Sequence, residues 1–441
     1  MSLVDDDRRN DFANTDFTDP RVFDDPWEVY GWLRDQDSLH YDAANDLYIA
    51  ARHEDVFHIS REDSTYCSMF GVRPRIAGDM SIITLDGDEH VRQRRLINKG
   101  FTPNRVRAMI PHVRELTNEV IDELETRATA AGGLPLDFVE NFAAHVPLII
   151  ICELMGLPVE QRLKMYGWSD AMMAGDGHVE ADSPQLHAAA EAFGEFAGMA
   201  IEMIAQRRED PQDDLISILT QAFDDGALTK EHKAIMGVSD EERVKIEAID
   251  SQRLNDDELL AFLTVLMVAG NETTRNAITG GLLALSHFPE QRQLLLDNLT
   301  DEAFMAAAAD EMVRYVTPVL GFVRTVTTDH TYRNTELKKG DRVLMMYGGA
   351  NRDDRVFDRP DELDLTRSPN PHLGFGIGPH FCLGANLARM EIITVFQELL
   401  ARLPDIAVPE GVAPGRGDSS LVLALQNVPA EFTPGGCPVP H

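Results

Sequence analysis

The chain has 441 residues, enough for two domains or for one large, elaborated domain. Its 40 Lys and Arg stand against 74 Asp and Glu, a formal net charge of −34, and phosphate binding needs clustered cations over a whole face, so a nucleic-acid partner is excluded. No run reaches the roughly 18 apolar residues of a membrane span, and the opening MSLVDDDRRNDF lacks the basic and apolar regions of a signal peptide, so a cytoplasmic protein is expected.

Residues 1–20 are polar and acidic and are expected to be poorly ordered, with 21–441 forming a single domain. Short β-like runs at Leu47 to Ala50, Phe322 to Val326, Val343 to Met346 and Leu421 to Leu425 are each bounded by turn residues. Between them, from about residue 104 to 315, helical periodicity dominates, as in Val106 to Ala128, Pro147 to Leu154 and Leu186 to Arg207. The expected class is therefore mainly α with small β-sheets. Ala128 to Gly133 reads as a loop, and the charged stretch Lys230 to Arg253 reads as a surface excursion between helices.

Several patterns along this frame carry possible chemistry. His90 and Arg94, in DEHVRQRRL, lie one turn apart on one helical face, a spacing that by itself more often marks a solvated surface. Asp257 to about His287 forms a long buried helix in which LLAFLTVLMVAG runs into NETT. Core packing does not account for Gly270, which costs about 1 kcal/mol in a helix interior, or for Asn271, Glu272, Thr273 and Thr274, whose polar groups need partners. Broken local rules of this kind belong to functional sites. Glu311 and Arg314, three apart in DEMVRY, form a possible helix-face pair of a sort common by chance.

Cys67, Cys152, Cys382 and Cys437 are far apart without CxxC spacing, and each is expected as a free thiol unless a metal claims it. The segment Phe375 to Gly384, FGIGPHFCLG, singles out Cys382. Gly376 and Gly378 permit backbone angles closed to other residues and close approach to a flat ligand, and His380 stands two positions before the thiol. Leu383, Leu387 and Met390 follow at helical spacing, so Cys382 falls at a helix N-terminus, where the dipole and unpaired N–H groups favour a thiolate able to ligate a metal. A buried structural cysteine is the plainer alternative.

FGIGPHFCLG resembles the heme-binding loop of the cytochrome P-450 monooxygenases and matches FGxGx[HR]xCxG at every specified position. The resemblance spans about residues 20 to 430. It implies the fold of that family, a triangular prism with a long central helix over the heme, and heme b as cofactor with Cys382 as the axial thiolate. Phe375, Gly376, Gly384, Ala269 and Gly270 would line the heme, while His90, Arg94, Arg324 and His380 would hold its propionates. AGNETT resembles the family's AGx[DE]TT segment, in which Thr273 would steady bound dioxygen and Glu272 would relay protons from solvent. Glu311 and Arg314 match its ExxR motif, joined by Arg367 from PDELDLTR as structural support.

Positions that face substrate in the family are mostly apolar here: Met69, Phe70, Val72, Met172, Met173, Leu266, Ala269, Val319, Leu320 and Phe322. They imply a hydrophobic small molecule such as a steroid or sterol side chain, a terpenoid or a fatty-acyl chain. Arg92, Arg95, Lys99, Arg105 and Arg107 form a basic cluster near the element expected to cover the thiolate side, which suits an acidic iron–sulfur ferredoxin, itself served by a ferredoxin reductase. The implied enzyme is a monomer that uses O2 and two electrons to hydroxylate an unactivated C–H bond. A peroxide-driven peroxygenase shares the thiolate heme but tends to lose the acid and alcohol pair, and a heme sensor has less need of a proton relay. Leu363 departs from the family's usual Phe, and the stretch Lys230 to Arg253 is longer than in many members.

Overall fold

The computed structural model describes residues 12–75, 81–130, 135–175, 182–221 and 254–435. Its helices are α1 (Trp27–Asp35), α2 (His53–Arg61), α3 (Gly87–Ile97), α4 (Pro103–Ala130), α5 (His145–Met155), α6 (Arg162–Ala174), α7 (Pro184–Glu209), α8 (Leu215–Gln221), α9 (Asp256–His287), α10 (Pro289–Leu296), α11 (Glu302–Val316) and α12 (Ala385–Arg402). The periodic stretches expected as helices lie inside α4, α5, α7 and α9. Ala128 to Ala130 extends α4 instead of forming a loop, while the charged stretch Lys230 to Arg253 and Cys437 lie outside the described residues. Among the described residues no helix is long and apolar enough to cross a membrane.

Helix α9 is the axis of the fold and packs against α5, α6, α7, α11 and α12. Its start is fixed by a capping box in which Asn255 accepts from the Glu258 N–H and Glu258 accepts from the Asn255 N–H. Glu258 also pairs with Arg92, which ties α3 to the first turn of α9. Around α9 the apolar faces of these helices merge into the main core.

A five-stranded sheet stands beside the helical core. Its strands are β1 (His40–Asp42), β2 (Leu47–Ala50), β3 (Tyr66–Cys67), β4 (Gly321–Val326) and β5 (Arg342–Met346), in the order β1-β2-β5-β4-β3. The β2 and β5 pair is parallel and the others are antiparallel. The expected order boundary at residue 20 is displaced: Phe17 and Thr18 are buried, and Phe17 packs with Tyr30, Leu47 and Leu320 in a second core. Leu421 to Leu425 differs too. Only Leu425 enters a two-stranded pair; the rest is a turn in which the Ser419 hydroxyl accepts from the N–H groups of Leu421 and Val422. That turn is stitched to the chain before β4 by Leu423 N–H to Pro318 and Leu320 N–H to Leu421, at 2.8 and 2.9 Å.

The ExxR residues are both fully buried on α11, with Arg314 Nε 2.7 Å from Glu311 Oε2. Arg314 also donates to the carbonyls of Asn351, Pro360 and Glu362. Arg367 Nε reaches Glu311 Oε2 at 3.1 Å, and Asn370 Nδ2 reaches it at 3.2 Å. The trio expected from the sequence therefore meets, and it staples the 351–370 meander, which leads into the cysteine loop, onto α11. Removing one partner leaves a buried charge uncompensated, so Arg314→Ala is expected to cost about 3–5 kcal/mol in chemical unfolding, against under 1 kcal/mol for Arg359→Ala in an exposed pair of the same meander.

Candidate functional site

The loop that carries Cys382 closes on itself through the Cys382 N–H, which donates to the Phe375 carbonyl at 2.8 Å. Gly376 and Gly378 take φ of 67° and 78°, the left-handed region. At Gly378 a Cβ would stand 2.6 Å from the Ser60 carbonyl, so that glycine serves close packing of the loop on α2 and not approach to a ligand. Arg389 lies over the Phe375 ring, 4.5 Å from its centroid, and donates to Asp310 on α11. Gly384 is the N-cap of α12, so Cys382 falls two residues before the helix.

The sulfur behaves differently from the sequence expectation. Burial pushes the Cys382 thiol up, and the Gly384 N–H together with Arg94 and Arg389 only partly offsets it. Desolvation outweighs the helix end because the site is enclosed. A bound metal cation would favour the thiolate at such a position.

Four cationic side chains expected around a ligand's carboxylates come together from three elements. The His90 and His380 rings lie 4.2 Å apart, Arg94 donates to the Phe381 carbonyl beside the thiol, and Arg324 is buried on β4. Among the described residues the Arg324 side chain hydrogen-bonds only the Val323 carbonyl of its own strand. Burial pushes His90 down to about 4, with His380 and Arg94 repelling its proton further. Burial also lowers Arg94, Arg324 and His380. The carboxylate they share is Asp86, 3.8 Å from His380. With the His90 ring uncharged at neutral pH, Arg94 and Arg324 are the permanent cations here and the imidazole N–H groups add donors, a set that fits an anionic group beside the thiol.

Helix α9 supplies the opposite wall. Ala269 is exposed in the middle of a helix that is otherwise largely buried, so the surface it meets is an internal cavity. Gly270 turns elsewhere: a Cβ there would lie 2.5 Å from Ile151 Cδ1, which makes it a contact with α5 and not part of a ligand wall. The Thr273 hydroxyl donates to the Ala269 carbonyl at 2.7 Å. Glu272 is buried and pairs with Arg275, which in turn reaches Asp170 on α6 at 3.1 Å. Burial pushes the Glu272 carboxyl well above its ordinary value while Arg275 pulls it back, and its Oε1 has no partner among the described residues. The helix stays continuous through this segment.

The apolar expectations divide. Met173, Leu421, Val422 and Ala424 form a small cluster with Val268 and Phe322 packed on it. Val319 bridges Val422 and is partly buried. Leu320 is a correction, since it packs in the second core beside Phe17 and Val29, whereas Val319 and Phe322 pack on a different cluster, a split that simple strand alternation does not give. Leu266 and Met172 belong to the main core. Val72 is buried, and Met69 and Phe70 are exposed. Leu421 and Val422 were missed, because their run reads as a plain strand; the Ser419–Ser420 pair before it was the available turn signal.

The basic cluster also divides. Arg92 is buried and paired with Glu89 and Glu258, so it leaves the surface set, and Arg105 faces Asp213 at 3.9 Å. Arg95, Lys99 and Arg107 are exposed, and the neighbouring Phe381 is 40% exposed beside the thiol.

The cytochrome P450 family profile matches residues 44–433. A steroid C26-monooxygenase of Rhodococcus jostii is 33% identical, over 97% of this chain and 87% of the relative. A methyl-branched lipid omega-hydroxylase of Mycobacterium tuberculosis is 32% identical, over 98% and 92%. Among solved structures, a Mycobacterium marinum cytochrome P450 in complex with pseudoionone aligns at TM-score 0.80 and 29% identity, over 95% and 98% of the two chains. A fold of helices around a central helix, facing a single cysteine loop, defines a heme-thiolate protein. The chain belongs to the cytochrome P450 family and is a monooxygenase. The family's cofactor is a heme iron, and a half-buried sulfur beside Arg94, Arg324 and two imidazoles suits an iron with carboxylate side groups.

One buried acid was not anticipated. Glu391 on α12 is fully enclosed, and burial pushes its carboxyl from 4.5 up to about 8, eased only by a hydrogen bond from Thr274. The folded state therefore keeps a proton that the unfolded state has lost through most of pH 5 to 8, so stability declines as pH rises across that window, by at most about 1.4 kcal/mol per unit. Glu391→Gln, which carries no titrating proton, is expected to flatten this slope in thermal unfolding scans; parallel pH profiles for the two proteins contradict it.

Proposed function

We propose that the chain inserts one oxygen atom into an unactivated C–H bond of a hydrophobic small molecule, with heme b ligated by Cys382. The observation that carries this reading is the half-buried Cys382 thiol, with Arg94 bonded to the next-door Phe381 carbonyl and the His90 and His380 rings 4.2 Å apart beside it. When bound, the heme activates O2 with two electrons and two protons, so that RH, O2 and these yield ROH and water. The cations hold the propionates, and the Phe375 to Gly384 loop orients the sulfur. Asp170, 39% exposed, gives the Glu272 and Arg275 pair an outlet to solvent, and the unpartnered Glu272 Oε1 is the atom that takes and passes a proton. Thr273 presents its hydroxyl at the exposed Ala269 turn, where it orients oxygen and excludes stray water.

For substrate, the apolar cluster of Met173, Leu421 and Val422, with Phe322 packed on it and Val319 bridged to it, favours an apolar chain. A steroid side chain or a branched acyl chain fits best, in keeping with the steroid and methyl-branched lipid named for the relatives. Electrons come from an acidic iron–sulfur ferredoxin, served by its reductase, docking on the exposed Arg95, Lys99 and Arg107, on the face of the chain that carries Arg94 to the Phe381 carbonyl. The enzyme works as a cytoplasmic monomer.

The reading is tested by the reduced carbonyl complex, expected to show the red-shifted Soret band of thiolate ligation; colourless protein or an unshifted band ends it. Thr273→Ala is expected to keep substrate affinity but to divert most reducing equivalents to peroxide, measured as product formed per NADH consumed. Replacing Arg95 and Lys99 together by Glu is expected to slow reduction by the ferredoxin about tenfold and to flatten its salt dependence. Stopped-flow rates matching the parent place the docking site elsewhere.

A further inference from the structure

Asp86 occupies the N-cap of α3, where an Asp ordinarily accepts from its own helix, yet its carboxylate makes no such bond. It reaches back instead to the N–H groups of Ser68, at 3.0 and 2.8 Å, and Met69, at 2.8 Å. These residues open a tight turn, closed by the Gly71 N–H to the Ser68 carbonyl at 2.9 Å, with Gly71 at φ 106°. The turn is hung from β4 on both sides of Arg324: Cys67 pairs with Thr325 before it, and the Val323 N–H donates to the Val72 carbonyl after it, at 2.7 Å. Ser68 Oγ also lies 3.3 Å from His380 Nε2.

Burial acts to raise the Asp86 carboxyl, but hydrogen bonds from His380, Ser68 and Met69 prevail and hold it below its ordinary value. The carboxylate is thus kept charged among the groups assigned to the heme propionates, where a like charge is a cost unless it does something else. What it joins is specific. Helix α3 brings His90 and Arg94, β4 brings Arg324, the cysteine loop brings His380, and the turn displays Met69 and Phe70, each 59% exposed.

We propose that Asp86 is a positioning residue, the brace that holds the Ser68 to Gly71 turn astride Arg324, so that retention of the cofactor's carboxylates and binding of an apolar substrate beside Met69 and Phe70 depend on one side chain. This rests on the heme-thiolate reading above. A carboxylate acting only as a repelling charge predicts the opposite sign, because neutralising it strengthens the hold on a dianionic group.

The test uses the full-length, heme-loaded enzyme with Asp86→Ala and with the near-isosteric Asp86→Asn, which keeps one accepting oxygen. In the Ala variant, hydrogen exchange of the Ser68 and Met69 amides is expected to speed up about tenfold or more, and heme transfer to apomyoglobin by a similar factor, with Asn restoring part of each. Midpoints of spectral titrations with testosterone or palmitate are expected to move upward while the reduced carbonyl band stays in place. Exchange within about twofold of the parent, or slower heme transfer in both variants, overturns the brace. A parent without the thiolate band defeats the heme-thiolate reading instead, and amide exchange still decides whether Asp86 holds the turn.

Discussion

Burial works against charge at Cys382, and the rest of the architecture answers to that constraint. A partly buried sulfur resists ionisation, and the Gly384 N–H with two nearby arginines does not reverse the effect. The cavity in front of it collects His90, Arg94, Arg324 and His380 while supplying one shared carboxylate, Asp86. Arg94 and Arg324, with donors from His90 and His380, suit the carboxylates of a bound group, and the family's heme iron suits the sulfur.

Holding those opposed groups in place demands rigidity from outside the cavity. The fully buried Glu311 and Arg314, with Arg367, lock the irregular 351–370 segment to α11, and Arg389 and Asp310 do the same for the start of α12. Irregular backbone needs its hydrogen bonds satisfied one at a time, and Arg314, donating to three carbonyls besides its pairing with Glu311, meets that need where no helix or sheet ladder can. The cysteine loop is therefore a precise object built on a segment with almost no regular structure.

Helix α9 combines two roles usually kept apart. One side packs tightly enough that Gly270 leaves no room for a methyl group against Ile151. Another carries Glu272, Arg275 and Asn271 into the interior with several polar atoms lacking partners among the described residues. Such groups are costly in a dry core, and their concentration on one turn next to the exposed Ala269 is the local rule-breaking that functional sites show.

Much of this was legible without coordinates. Periodicity located α4, α5, α7 and α9, because spacing on a helix dictates which side chains are neighbours, whereas His90, Arg94, Glu311 and Arg314 were singled out by the family resemblance that FGIGPHFCLG carries. Tertiary structure alone decided that Arg92 pairs with Glu258, 166 positions away, instead of facing solvent; that Leu320 joins the second core while Phe322 packs on the Met173 and Leu421 cluster; that the turn after Ser419 is stitched to the chain before β4; and that burial raises the Cys382 thiol. Each depends on which distant segments pack together and which face a strand's register turns inward, and neither is encoded in the spacing of neighbouring residues.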